Sequence, residues 1–226
     1  MDEKIAIILA AGDYPTAPEA LAYLDSAEYV CCCDGAAQAL IDHGRMPDAI
    51  VGDGDSLTPE QIERFGSLYH RVTEQEYNDL TKATRYCIAQ GYHDIVYLGA
   101  TGKREDHTLA NIALMAFYKR ELGINPTMVT DYGTFVVGGN DDIDDDIYDD
   151  VKVKVSVTTF HSFPGQQVSI FNLGCTTLES EGLKWDAYPY RELWQGTLNE
   201  ALSYSFTIKA NGPYIIFRTH KAKGER

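Results

Sequence analysis

Residues 48–66 read DAIVGDGDSLTPEQIERFG, and this short stretch contains a strand, a turn and a helix start. Ala49, Ile50 and Val51 are apolar without alternation, as in a strand covered on both faces. Gly52 and Gly54 permit a tight turn after it. Thr58 is placed to cap a helix whose first position is Pro59, with its locked φ. A buried strand that turns directly into a capped helix is half of a parallel β–α–β unit. Asp53 and Asp55 flank Gly54 in the turn itself. Two carboxylates that close repel one another, so either solvent or a bound cation must offset the repulsion.

The same unit recurs on both sides of this stretch. KIAIILAAG (4–12) and EYVCCCDG (28–35) are apolar strands, followed by helical segments near Pro18–Leu24 and through AAQALIDHG (36–44). Further on, YHRV (69–72) is a weak strand and NDLTKATRYCIAQGY (78–92) a helix. DIVYLGA (94–100) is a strand, DHTLANIALMAFYKREL (106–122) a helix stopped by Gly123, and TMVTD (127–131) the last strand. Apolar strands alternating with helices predict a mostly parallel α/β sheet covered by helices on both faces, a Rossmann-like arrangement. Ligands of such sheets bind beyond the carboxyl ends of the strands. Glycines and acids recur at that edge: Gly12 and Asp13, Asp34 and Gly35, Gly52 to Asp55, and Gly99 to Asp106.

After about Tyr132 the periodicity changes. GTFVVGG, VKVKVSVTTF, QQVSIFNL, TTLESEGLKW, ALSYSFTIKA and PYIIFRT alternate at period two, with Gly, Pro and Asn between them. This predicts a second, all-β domain, a sandwich or barrel over residues 136–226, after an α/β domain over residues 1–135. NDDIDDDIYDD (140–150), near the junction, lacks the glycine and terminal Glu of a calcium-binding EF-hand loop. It reads as a solvated hairpin loop or boundary, with a weak cation site as the alternative.

Composition excludes several functions. The formal net charge is −15, which disfavours nucleic acid and anionic membrane surfaces as partners. A phosphate-bearing ligand would then need metal ions and a few local cations. No run reaches the roughly 20 apolar residues of a spanning helix. The start, MDEKIAIILAAG, has acids where a signal peptide is basic, so the expected location is the cytoplasm. Cys31, Cys32 and Cys33 are consecutive within an apolar run and lack zinc-ligand spacing, which predicts buried thiols.

Three stretches carry chemistry. Asp53 and Asp55 can face a common point, as a hard divalent cation with oxygen ligands requires, and Mg²⁺ shares its shell readily with phosphates. In NDLTKA, Asp79 and Lys82 share a helix face, either as an ion pair or as metal and phosphate ligands. In LGATGKREDHTLAN, Gly99 and Gly102 let backbone N–H groups approach a phosphate, and Lys103 and Arg104 add positive charge. Asp106 stands at the start of the next helix, where an acid also serves as an N-cap. The loop matches neither the Walker A motif nor the dinucleotide fingerprint.

In this order, CDGAA, GDGDS, NDLTKA and GATGKREDHTLANI, with GLKW and GTLNEAL downstream, resemble the thiamine pyrophosphokinase family over nearly the whole chain. The resemblance implies an α/β nucleotide-binding domain followed by a β-sandwich. It implies Mg²⁺-dependent transfer of pyrophosphate from ATP to thiamine, giving thiamine diphosphate and AMP, in a homodimer with sites at the subunit interface. Carried onto this chain, Asp53, Asp55 and Asp79 would hold Mg²⁺ against the ATP phosphates. Asp34 and Gly35 would line the ATP pocket with Thr101 and Gly102. Lys82 and Arg104 would neutralise phosphate charge, with Asp106 orienting them or touching the nucleotide. Gln75 and Asp79 would approach thiamine, and Trp185 would stack on its pyrimidine from the neighbouring subunit. The chain departs from the family pattern at Gly196 and Leu198, where serines are usual, which leaves Thr197 or Asn199 for the polar contact. Asn78 replaces a usual Ser or Thr, and Lys103 a common glycine. The rival readings are another Mg²⁺-dependent, nucleotide-using transferase with a D-x-D pair, or a non-catalytic nucleotide- or thiamine-binding protein.

Overall fold

The computed structural model describes residues 4–139, 143–148 and 151–225. The chain divides into two compact units, Met1–Asp131 and Tyr132–Arg226.

The first unit is the α/β part. Its strands are β1 (Ile5–Leu9), β2 (Val30–Cys33), β3 (Ala49–Gly52), β4 (Tyr69–Arg71), β5 (Asp94–Leu98) and β6 (Asn125–Val129). Every pairing among them is parallel, and they lie in the order β6-β5-β1-β2-β3-β4. Connections run outward from β1 to β4 and then return to β5, so the order reverses between β1 and β5. Crevices for ligands open at such a reversal, outside the carboxyl ends of the strands.

Between the strands lie α1 (Pro18–Ser26), α2 (Ala36–Asp42), α3 (Pro59–Phe65), α4 (Asp79–Ala89) and α5 (Glu105–Leu122). Ile7 and Leu9 of β1 pack with Ala20 and Leu24 of α1 and with Ala37 and Leu40 of α2. Strand side chains alternate, which turns Ile8 and Cys31 to the other face, where α4 packs on β1, β2 and β3. Thr58 caps α3 as its position predicts. Its Oγ1 accepts from the Gln61 N–H at 3.2 Å, and Gln61 Oε1 accepts from the Thr58 N–H at 2.8 Å. All five cysteines are free and buried. No helix among the described residues is long and apolar enough to cross a membrane.

The second unit contains two antiparallel sheets. One pairs β7 (Gly133–Gly138), β14 (Tyr214–Ala222), β10 (Gln166–Asn172) and β12 (Asn199–Glu200). The other orders β11 (Leu178–Glu181), β13 (Ser205–Ala210), β9 (Val151–His161) and β8 (Ile143–Tyr148). Phe160, Phe206 and Ile208 of the second sheet share one apolar cluster with Val168, Ile170 and Ile216 of the first, which makes the unit a sandwich.

Three local differences from the sequence reading have physical causes. Residues 143–148, read as part of a loop, pair as β8 with β9, because cross-strand pairing overrides the poor strand propensity of Asp. Residues 140–142 and 149–150 are outside the described residues, and so is the weak cation site considered for that segment. The long strand expected over TTLESEGLKW stops at Glu181, since Gly182 takes φ +81. The segment ALSYSFTIKA forms a strand only from Ser205, while Asn199–Glu200 adds a short one.

Candidate active site

At the carboxyl edge of the parallel sheet a cavity of about 590 Å³ is walled by the loops that follow β1, β2, β3 and β5 and by the start of α4. Asp34 enters it from the end of β2 and is 2% exposed. The residue facing it on β3 is Gly52, where a Cβ would overlap the Asp34 carboxylate. Beyond it Gly54 takes φ +93 and returns its N–H to Asp34 Oδ2 at 2.9 Å. The other oxygen, Asp34 Oδ1, is buried with no hydrogen-bond partner among the described residues. Burial raises the Asp34 pKa, the Gly54 N–H partly offsets this, and the Asp79 and Asp53 charges raise it further.

Asp53 follows Gly52 and is held on three sides. The Asp55 N–H donates to its Oδ1 at 3.1 Å, while Gln75 Nε2 at 3.2 Å and Lys82 Nζ at 3.3 Å donate to its Oδ2. These donors, the Asp55 N–H first, lower its pKa. Asp79 opens α4, where the N-cap Asn78 accepts the Thr81 N–H at 3.0 Å, so its carboxylate stands at the positive end of the helix dipole. One turn on, Lys82 donates to Asp79 Oδ1 at 3.1 Å. Its side chain is only 3% exposed. Burial works against the ammonium, yet Asp79 and Asp53 outweigh it and raise the pKa.

The carboxylates that converge are Asp34, Asp53 and Asp79, with ligand oxygens within 4.8 Å of one another. The expected set held Asp55 in place of Asp34. The Asp55 side chain is exposed and outside this group, because its backbone N–H closes the turn onto Asp53. Adjacency in sequence favoured the D-x-D pair. Register favoured Asp34, since Cys33 pairs with Val51 across β2 and β3 and brings the two strand ends together. With all four groups charged, the three carboxylates and Lys82 sum to −2. Together with the unpartnered Asp34 oxygen, that donor set fits a hard divalent cation.

The remaining expected residues divide by place. Gly35, Gln75, Lys82, Gly102 and Arg104 line the cavity. Thr101 does not line it; its carbonyl accepts the Asp13 N–H at 2.9 Å. Arg104 donates to Asp106 from Nε at 3.1 Å and Nη2 at 2.6 Å, along one edge of its guanidinium, and pulls the Asp106 pKa down to about 2. Both side chains are exposed, and Asp106 lies within the first turn of α5 rather than at its N-cap, which is Arg104. Lys82, which lines the cavity, pairs there with Asp53 and Asp79 and offsets part of the cluster's negative charge.

Trp185, Thr197 and Asn199 belong to the second unit. Trp185 is 55% exposed, with the Lys184 ammonium 5.0 Å from its ring centre. Asn199 is buried; its Oδ1 accepts from the Trp185 N–H at 3.2 Å and from the Glu200 N–H at 2.8 Å. Its Nδ2 donates to the Trp185 carbonyl at 2.7 Å, so this side chain positions Trp185. The Thr197 hydroxyl donates to the Trp194 carbonyl at 2.7 Å. Sequence reasoning missed Asn111, which lines the cavity, accepts from Asn78 Nδ2 at 3.2 Å and donates to the Ala100 carbonyl at 2.8 Å. Its signals were its place at the end of LGATGKREDHTLAN and its being a lone amide inside the apolar run of ANIALM.

Comparison with known proteins gives a consistent result. Residues 20–125 match the family model described as thiamin pyrophosphokinase, catalytic domain. Residues 153–217 match that described as thiamin pyrophosphokinase, substrate-binding domain. The thiamine pyrophosphokinase of Bacillus subtilis is 30% identical over 116 residues, which is 50% of this chain and 54% of that protein. Thiamin pyrophosphokinase 1 of Caenorhabditis elegans is 29% identical over 98 residues, 39% of this chain and 40% of that protein. The aligned segments thus span about half or less of these two relatives. Among solved structures, the Bacillus subtilis thiamine pyrophosphokinase superposes with a TM-score of 0.75 at 20% identity, covering 96% of this chain and 99% of that one. Yeast thiamin pyrophosphokinase gives 0.75 at 15% identity, covering 97% and 87%. These superpositions establish the likeness of fold.

Proposed function

The chain belongs to the thiamin pyrophosphokinase family, and from that premise we propose that it transfers the pyrophosphoryl group of ATP to the hydroxyethyl oxygen of thiamine, releasing AMP. The observation that carries this reading is the cluster of Asp34, Asp53 and Asp79 at the carboxyl edge of the sheet. Those three residues would hold Mg²⁺. The metal would supply charge neutralisation for phosphate oxygens and for the charge that develops during transfer.

The protein's own groups do the remaining work by position. Lys82 and Gln75 orient Asp53, and Asn78 orients the first turn of α4 and so Asp79. The thiamine hydroxyl oxygen attacks the β-phosphorus, and the bond from that phosphorus to the α–β bridging oxygen breaks. AMP leaves with that oxygen, and the hydroxyl proton passes to the carboxylate of Asp79. The exposed Trp185 offers an aromatic face to the thiamine pyrimidine, with the site completed by a second subunit of a homodimer in the cytoplasm. Positioning and charge stabilisation elsewhere supply several kcal/mol each.

The deciding experiment is AMP release from ATP and Mg²⁺, with and without thiamine, by the wild type and Asp53→Asn. We expect thiamine-dependent AMP formation that falls by about 10² or more in the variant, the order seen when one charge-stabilising group is removed. AMP release indifferent to thiamine would remove the acceptor from this reading, and an unimpaired variant would remove the metal role of Asp53.

A further inference from the structure

Among the described residues, two lysines and one arginine line the cavity: Lys82, Lys103 and Arg104. Two are paired with acids. Lys82 lies between Asp53 and Asp79, and Arg104 pairs with Asp106 through the Nε and Nη2 edge of its guanidinium. Lys103 is different. Its ammonium donates to the backbone carbonyl of Ala11 at 2.8 Å, and among the described residues it has no carboxylate partner. A lysine ammonium has three N–H donors, so two remain for a ligand.

The backbone beneath it is closely held. Ala11 belongs to the loop after β1 and Lys103 to the loop after β5, the two neighbouring strands at which the sheet order reverses. The loops are joined by the Ala10 N–H to the Leu98 carbonyl at 2.8 Å, Gly12 to Gly99 at 2.7 Å and Asp13 to Thr101 at 2.9 Å. A Cβ on Gly12 would overlap the carbonyls of Thr101 and Gly99, and one on Gly102 the carboxylate of Asp13. Lys103 itself is held at φ +53, a left-handed backbone that a lysine seldom adopts. Its ammonium is held at the cavity wall by the bond to the Ala11 carbonyl.

We propose that Lys103, not Lys82, is the cation that receives the β- and γ-phosphates of ATP, keeping one donor on Ala11 and giving the others to phosphate oxygens. This rests on the reading of ATP as substrate. It moves the phosphate-binding role from a lysine paired with two aspartates to a cavity lysine that, among the described residues, no carboxylate pairs with. It also explains how a chain of net charge −15 offers a polyphosphate a positive contact on the wall of a crevice that holds three aspartates.

The test is calorimetric titration of ATP with Mg²⁺, and separately of AMP, into the wild type, Lys103→Gln and Lys103→Arg, with folding checked by thermal melts. Lys103→Gln should weaken ATP about tenfold, as loss of a charge-assisted hydrogen bond does, while AMP stays within about twofold. Lys103→Arg should recover most of the ATP affinity, and the KM for thiamine should not move. Equal losses for ATP and AMP would mean that Lys103 only braces the loop, and unchanged ATP affinity would mean that it does neither; each overturns the proposal. A wild type that binds no ATP overturns this inference and the proposed function together. A wild type that binds ATP, loses affinity in Lys103→Gln and yet ignores thiamine supports the lysine's role while sinking the proposed reaction.

Discussion

Gly52 ends β3 without a left-handed φ, so its lack of a side chain answers a neighbour rather than a turn. The space a Cβ would take is filled by the Asp34 carboxylate. Gly52→Ala should therefore leave the sheet folded while displacing Asp34 from Asp53 and Asp79. The expected result is a loss of Mg²⁺-dependent turnover of about 10² or more, with a stability cost near the 1–3 kcal/mol of local overpacking. Full turnover in that variant would exclude Asp34 from the proposed metal site. Leu198 takes φ +63 on an exposed turn, where a branched side chain is strained. At this scale the sequence was informative about residue types and poor about partners. GDGDS announced a carboxylate site, but which three acids meet depended on the strand carrying Asp34.

The element that sets the chemistry is α4. Its start was readable, since Asn78 is a strong cap followed by an acid in the first turn. Its seating was not. The Thr81 hydroxyl lies 2.8 Å from Asn78 Oδ1 and 2.7 Å from the Tyr118 hydroxyl, and Thr84 lies 2.9 Å from the Tyr97 hydroxyl. Both tyrosines are fully buried, so these bonds anchor the helix from below. Thr81→Val keeps the volume but leaves the Tyr118 hydroxyl without that partner. We expect a loss of about 1–3 kcal/mol in urea unfolding, the cost of a buried polar group left unpaired. A loss under about 0.5 kcal/mol, the size of an ordinary surface substitution, would show that the pair is not an anchor. The contrast with α5 is instructive. Asp106 looked like a cap, but the helix starts at Glu105, and Asp106 instead accepts the His107 N–H at 2.9 Å.

Across the whole molecule, thiols and phenols buried in neutral form make stability fall in alkali. Burial pushes the Cys32 pKa up to about 12, from 9.0 for an ordinary thiol, and drives Cys33 and Tyr97 well upward. A group whose folded pKa is raised contributes its full stability below its unfolded pKa and loses it as pH climbs to the folded one. Between about pH 9 and 12, Cys32 alone should remove about 1.4 kcal/mol per pH unit. Urea midpoints should hold up to pH 8 and decline by pH 10, with all five thiols unreactive in the native protein at pH 8. A midpoint unchanged at pH 10 would show that these groups titrate normally. The alternation of apolar runs with capped helices determined the parallel sheet, and period-two patterning determined the β-sandwich, because both are local consequences of which face is buried. The acid- and glycine-rich strand ends likewise marked the edge where the cavity and the carboxylate cluster lie. Only the tertiary structure decided that Asp34 replaces Asp55 in the cluster, that Lys82 is paired with two aspartates, and that Lys103 faces the cavity with donors to spare. Those outcomes depend on the register between β2 and β3 and on the meeting of loops from β1 and β5, which are contacts between residues far apart in the chain.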